Sequence, residues 1–379
     1  GEQFEKTGGL APFERAPLAK SLALVSLRLQ PYSTLTVTVT DDWQGAHLWW
    51  PHSPMLYLLK STLTERGRPI DTLSTRFGFR EVRVEGPQLL LNDVPLKLRG
   101  DACHFMGVPQ QTEQYARLWY QMARDANLNH IRLLGQVYPS FYLDVADEMG
   151  MLITDESALC ASAAHLLYGD DFFRRARQHV EDWVRRDRNH PSVIIWSLAN
   201  ELRAGHVADP NDGAASWEEL AEKIASLGAL VQSLDGTRPF CSEGDEDLNG
   251  AAPIYSLHYP SAYPPEVKGK PVMIGEAGAM AHAAPPEAAI WSGERAYQNP
   301  AGRLEALARE ITESVAAYRR WATQVTLFNT VWYALEPLPL DKALTYQSLD
   351  GPAIKPERIG PYCTTLNAGW DERAPPYRP

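Results

Sequence analysis

The run RDRNHPSVIIWSLANE, residues 186–201, decides the reading of the fold. Its second part, SVIIWSLANE (192–201), is apolar at successive positions and rich in β-branched and aromatic side chains. A strand apolar on both faces belongs in a parallel sheet covered on both sides. FFRRARQHVEDWVRRDR (172–188) precedes it and SWEELAEKIASLGALVQSLD (216–235) follows it, both with helical spacing of apolar residues. Outward from this unit the alternation continues. Toward the N-terminus come the strand LKLRG (96–100), the helix TEQYARLWYQMARDA (112–126), the strand NHIRLL (129–134), the helix FYLDVADEMG (141–150) and the strand MLITDE (151–156). Toward the C-terminus come RPFCSE, PIYSLHY (253–259) and PVMIGE (271–276), then the helix 303–323 and the strand VTLFNTVWYA (325–334). Eight strands with intervening helices close naturally as an α/β fold, a (β/α)8 TIM barrel, over residues 87–340.

Residues 20–86 read differently. SLALVSLRLQ, STLTVTVT, PMLYLLKSTLT and STRFGFREVRVE alternate apolar and polar residues and predict the strands of a small immunoglobulin-like β-sandwich, complete or partial. LLLNDVPLKLRG (89–100) predicts a hairpin turning at Asn92-Asp93. Residues 1–19 are expected to be irregular, and the proline-rich 341–379 to be an extension or a linker. The start of the chain has no basic stretch followed by an apolar core, so no signal peptide is read there, and the chain is expected to be part of a larger protein. Periplasmic or secreted placement stays open, as does homo-oligomerisation.

Composition removes several function classes. Of 379 residues, 36 are Lys or Arg and 47 are Asp or Glu; the net charge of -11 opposes nucleic-acid phosphates. No apolar run has the length of a membrane span. Cys103, Cys160, Cys241 and Cys363 are scattered, with no zinc-type pairing; Cys160 and Cys241 are expected as small buried residues. Neither a cofactor nor a metal is expected.

Barrel active sites lie at the C-terminal ends of the strands. Strand four ends Asn200-Glu201 and strand seven ends Glu276-Ala277-Gly278. Other ends carry His104, Arg132, Asp155-Glu156, His258-Tyr259 and Trp332. Two carboxylates across a barrel mouth suit cleavage of a glycosidic bond with retention, one as acid/base and one as nucleophile. Glu201 fits the acid/base, with the Asn200 amide beside it for a sugar 2-hydroxyl. Glu276 fits the nucleophile, the flanking Gly275 and Gly278 admitting substrate close to the backbone. Arg132 is expected to keep Glu276 ionised, and the Glu276 anion to raise the pKa of Glu201. Each residue also has a plainer reading. A lone strand-end Glu is ordinarily a solvated loop residue, Arg132 could simply pair with Asp155 or Glu156, His104 and His258 could be core histidines, and Trp332 could be core rather than a sugar platform. The glutamate pair is what tips the balance. The long loop after Gly278 suggests a further subsite for the aglycone, involving Trp291 and Tyr297.

FGFREV (77–82), LLLNDVPLKLRG, RDRNHPSVIIWSLANE and MIGEAG (273–278) together resemble glycoside hydrolase family 2, the β-galactosidase, β-glucuronidase and β-mannosidase group. The resemblance covers residues 20–335 and implies the same roles for Glu201, Asn200 and Glu276. It matches His104, Arg132 and Trp332 to family sugar-site positions. It implies an oligosaccharide or glycoside substrate and an exo-acting retaining β-glycosidase, first for β-galactosides. A β-mannosidase or endo-β-glycanase of the same clan is the alternative, and a non-catalytic carbohydrate-binding barrel a more distant one. Several positions depart from the family pattern. Cys160 and Ser162 stand where galactosidases carry magnesium ligands, Leu134-Gly135-Gln136 replace a strand-two histidine, and Ala277 replaces an aromatic. The Asn-x-Lys signature of glucuronidases does not occur in the tail.

Overall fold

The computed structural model describes residues 20–22, 24–104, 111–208, 216–267, 269–278, 289, 292–298 and 300–328. β1 (Tyr57–Glu65) and β2 (Arg68–Phe77) form an antiparallel ribbon. β3 (Val82–Glu85), β4 (Gln88–Leu91) and β5 (Val94–Pro95) form a second small antiparallel sheet. The predicted turn is in place. Asn92 (φ 49°) and Asp93 (φ 69°) both adopt the left-handed conformation that a two-residue hairpin turn requires.

The barrel then runs β6 (Leu98–His104), α1 (Glu113–Asp125), β7 (His130–Leu134), α2 (Phe141–Met149), β8 (Leu152–Glu156), a 3-10 segment (Ala161–Tyr168), α3 (Asp170–Asp187) and β9 (Val193–Asn200). It continues with α4 (Leu202–Ala208), α5 (Trp217–Leu234), β10 (Phe240–Glu243), β11 (Tyr255–His258), β12 (Val272–Ala277), α6 (Arg295–Gln298), α7 (Pro300–Tyr318) and β13 (Gln324–Phe328). The eight barrel strands are hydrogen-bonded in the order β10-β9-β8-β7-β6-β13-β12-β11, all parallel. Between the edge strands, Glu246 in the turn after β10 makes a short antiparallel bridge to Ser256 of β11. Glu246 N donates to Ser256 O at 3.0 Å and Ser256 N to Glu246 O at 2.9 Å.

Local signals fix the helix ends. Thr112 caps α1 by accepting from Tyr115 N, and Ser216 with Glu219 forms a capping box on α5. Gly150 ends α2 in the left-handed region (φ 71°), and a Cβ there would lie 2.0 Å from the Pro51 carbonyl oxygen, so the segment before β1 docks where only glycine fits. β9 is buried from Val193 through Ala199, as its unbroken apolar run predicts. Trp49, Val82, Leu89 and Leu91 pack with Leu98, Leu152, Ile195, Cys241 and Met273. Each such side chain contributes about 1.5–3 kcal/mol on full burial. Leu98 and Leu152 begin their strands, so this cluster closes the N-terminal end of the barrel and leaves the opposite end to the site.

The expected strands over residues 20–40 are corrected. SLALVSLRLQ and STLTVTVT form no strands among the described residues, and Leu24 and Leu29 are 92% and 61% exposed. Alternation announces a face that needs covering, and among the described residues no second sheet covers it. STRFGFREVRVE also divides into β2 and β3. The break falls at Gly78, where a Cβ would come within 2.8 Å of Pro191 Cγ. Here the chain turns against the barrel, and Arg80 donates to the carbonyls of Pro191 and Val193. Cys241 is buried as expected, while Cys160 is only half-buried. No helix among the described residues is long and apolar enough to cross a membrane.

Candidate active site

Arg132, in the middle of β7, is completely buried and organises the C-terminal end of the barrel. Its Nη1 donates to Glu276 Oε1 at 2.9 Å. Nε donates to Glu156 Oε2 at 2.9 Å and Nη2 to Glu156 Oε1 at 3.1 Å, a two-pronged pair that fixes the guanidinium plane. Arg132 therefore pairs with Glu156 and with Glu276 at once. Burial pulls its pKa down, but Glu156, Glu243 and Glu276 outweigh burial and raise it, so the charge is permanent.

Glu276 lies near the end of β12 and is 5% exposed. Besides Arg132 it accepts from Tyr259 Oη, at 2.8 Å on Oε2. Burial, then the neighbouring Glu276 charge, raises the Tyr259 pKa, so the phenol stays a donor. Asn200 Oδ1 accepts from Arg132 Nη2 at 2.5 Å. Its carbonyl is thereby committed, and its NH2 is the end that can donate to a sugar hydroxyl.

Glu201 directly follows β9 and takes a left-handed backbone conformation (φ 56°), a strain typical of functional positions. Strand β10 and the turn after it hold that conformation. Glu201 N donates to Glu243 O at 2.8 Å, and the Asp245 carboxylate accepts from Leu202 N and Arg203 N, the first turn of α4. Burial raises the Asp245 pKa to about 6. The Glu201 side chain is 32% exposed and accepts from His258 Nδ1 at 2.7 Å. One carboxylate oxygen each from Glu201 and Glu276, together with a His258 nitrogen, all lie within 4.8 Å of one another. That spacing is on the retaining side of the two glycosidase geometries, about 5–5.5 Å against about 6.5–9.5 Å.

Two expectations are corrected here. The Glu201 pKa is lowered, because the His258 hydrogen bond outweighs burial and the imidazolium is closer than the Glu276 anion. Gly275 does not make room for substrate. A Cβ there would lie 1.8 Å from Glu243 Oε2, so the space is filled by a second buried carboxylate. Glu243 was missed by sequence reasoning, although it ends the fifth strand and the same walk along strand ends reaches it. It accepts from Ser256 Oγ at 2.5 Å and lies 3.7 Å from His258 Nε2. Burial works to raise its pKa, but Arg132 and His258 win and hold it at about 2.

The strand places His104 at the end of β6 opposite Leu134; its side chain, like Trp291 and Trp332, lies outside the described residues. Tyr297 is exposed on α6. The Glu201–His258–Glu276 set and the Asp144–Asp147–His190 set have donor atoms close enough together for a cation. In each, arginine and histidine already supply positive charge, Arg132 with His258 in the first and Arg76 with His190 in the second.

Comparison with known proteins gives the family. A family model described as the TIM barrel domain of glycosyl hydrolases family 2 matches residues 82–274. The chain belongs to glycosyl hydrolase family 2. A second model of the same family matches residues 25–80. A putative β-glucuronidase of Formosa agariphila is 31% identical over 216 residues, covering 54% of this chain and 19% of its own length. A β-galactosidase of Pseudoalteromonas haloplanktis is 28% identical over 232 residues, covering 55% of this chain and 21% of its own. The chain therefore spans about a fifth of the length of these relatives. In structure it is similar in fold to Bacteroides uniformis β-glucuronidase 3, with a TM-score of 0.59 at 24% identity over 74% of this chain and 38% of that one.

Proposed function

We propose that this chain is the catalytic core of an exo-acting retaining β-glycosidase, with Glu276 as nucleophile and Glu201 as acid/base. The observation that carries the reading is the carboxylate pair, within 4.8 Å across the open end of the barrel. Glu276 attacks C1 while Glu201 protonates the leaving oxygen, giving a glycosyl ester; Glu201 then takes a proton from water as the ester is hydrolysed. Arg132 and Tyr259 hold the two oxygens of Glu276 so that one lone pair is aimed at C1 without a search. Asn200 donates to the 2-hydroxyl.

The charge balance favours a neutral sugar, β-galactosides first. Among the described residues, Glu156, Glu201, Glu243 and Glu276 surround Arg132 and His258, so a sugar carboxylate would meet a surplus of like charge there. Such juxtaposition costs several kcal/mol. A β-glucuronide is the second reading, favoured by the Formosa agariphila relative's name. A panel of aryl β-galactosides, β-glucosides, β-mannosides and β-glucuronides, with proton NMR of the first-formed anomer, tests both parts. The expected result is turnover of a neutral glycoside with β product first. Turnover of glucuronide alone refutes the sugar assignment, and an α first product refutes the mechanism.

A further inference from the structure

The acid/base assignment leaves a chemical problem. A general acid must carry a proton when substrate arrives, yet Glu201 sits as a carboxylate against a ring nitrogen. We propose that His258 is the proton partner of Glu201: the two side chains share one proton across the Nδ1–Oε1 contact, and that proton is the one delivered to the leaving group. His258 is thus a positioning residue, acting on the glycosidic bond only through Glu201. The inference rests on the reading of Glu201 given above.

The geometry that carries it is the 2.7 Å contact and the ring's enclosure. His258 closes β11 with its side chain 6% exposed. Glu276 on β12 lies 3.7 Å from Nδ1, and Glu243 on β10 lies 3.7 Å from Nε2. Arg132 Nη1 on β7 lies 3.3 Å from Nε2 and is, among the described residues, the opposing charge. Asp245 beyond β10 adds a further favourable charge, and the Tyr259 ring stands edge-on at 6.2 Å. Burial acts against the charged ring, but the hydrogen bond to Glu201 and the nearby Glu243 and Glu276 charges overcome it and raise the pKa to about 9. Glu201, Glu243 and Glu276 thus stabilise the proton on the ring before substrate binds.

One of those anions disappears during the reaction. When Glu276 forms its bond to C1, its carboxylate charge is consumed, and the imidazolium loses a stabilising neighbour at the moment the leaving oxygen needs a proton. The Nδ1–H bond breaks, an O–H bond forms on Glu201, and that proton passes to the glycosidic oxygen as the C1–O bond breaks. In the second half, water attacks C1, its proton goes to Glu201, the Glu276 ester bond breaks, and the proton returns to Nδ1. No external acid is consumed. A residue that titrates as a pair loses its proton at a pH belonging to the pair, so the enzyme keeps its acid well above the range of an isolated glutamic acid.

The test is the pH dependence of kcat/KM in the wild type and in His258→Gln, with His258→Asn as a second variant, on two aryl glycosides of the preferred sugar. One has a phenol leaving group, which needs a proton, and the other a dinitrophenol, which does not. The proposal expects the alkaline limb for the phenyl glycoside to move down by about two pH units in the variants, a loss of about 10-fold at pH 8 that approaches about 100-fold above pH 9, with the dinitrophenyl glycoside changed by less than about 5-fold. It also expects nitrogen NMR of the His258 ring to show both nitrogens protonated at pH 7, and titration at lower pH in Glu201→Gln. An unmoved alkaline limb, or equal losses on both glycosides at every pH, overturns the proposal while leaving the acid/base assignment standing. If Glu201→Ala impairs both leaving groups equally in the wild-type background, the acid/base reading itself fails and the proposal with it.

Discussion

Arg132 and Glu276, brought together from β7 and β12, form an ion pair at 2.9 Å in which the arginine is entirely buried and also pairs with Glu156. Replacing Arg132 by Met leaves these carboxylates without their buried counter-charge. The expected cost is about 3–5 kcal/mol of stability, because the orphaned charges stay desolvated. Burial already raises the Glu156 pKa, so part of the loss should be recovered on acidification, when the freed carboxylates can take up protons. Urea denaturation at pH 7 and pH 5 checks this; equal losses at the two pH values would contradict it.

Gly275→Ala places a methyl group where Glu243 Oε2 now lies, with His258 Nε2 only 2.9 Å away. Neither neighbour is free to retreat, since Glu243 is fully buried and held by Ser256. Overpacking of this kind costs about 1–3 kcal/mol. Activity should fall as well, because His258 contacts Glu201 and Glu243 stands beside His258 and Arg132. Unchanged kcat with a normal melting temperature would show that the space beside Gly275 can relax.

Tyr259→Phe removes one donor from Glu276 Oε2 and leaves the Arg132 contact on Oε1. A hydrogen bond to a charged group contributes about 1.5–3 kcal/mol, so kcat should drop about 10- to 100-fold with little change in KM. Steady-state kinetics on the preferred aryl glycoside decides. A rise in KM alone would place the phenol on the sugar and not on the nucleophile.

Far from the site, His190 Nδ1 contacts Asp147 Oδ2 at 2.6 Å. Burial opposes the charged ring there, but Asp147 prevails and the folded-state pKa of His190 is raised. A raised histidine contributes stability that is complete below its unfolded value of about 6.5 and is lost as the pH climbs through the folded value. His190→Gln should therefore narrow its stability deficit relative to the wild type between pH 6 and pH 9. Urea midpoints across that range supply the test, and a deficit that widens with pH would reverse the sign.

Most of the barrel was legible because its signals are local. The double-faced apolar run before Asn200-Glu201, the glycine after Met149 and the Asn92-Asp93 turn each dictate backbone geometry within a few residues. Strand ends then delivered Arg132, Glu201, His258, Tyr259 and Glu276 to one place. What the sequence hid was side-chain competition across strands. Whether Gly275 admits substrate or Glu243, and whether Glu201 feels Glu276 or His258 more strongly, depends on separations of a few ångströms between residues far apart in the chain. Alternation over 20–40 was equally persuasive, yet alternation specifies a strand only where a partner covers one face.

The central claim is that Glu276 bonds covalently to the sugar. Incubation with 2-deoxy-2-fluoro β-glycosides carrying a good leaving group, followed by peptide mass spectrometry, reads this directly. A fluoroglycosyl adduct on the peptide containing Glu276, absent from Glu276→Gln, is the predicted result. An adduct on Glu201, Glu243 or Glu156 instead, with Glu276 unmodified, would contradict it.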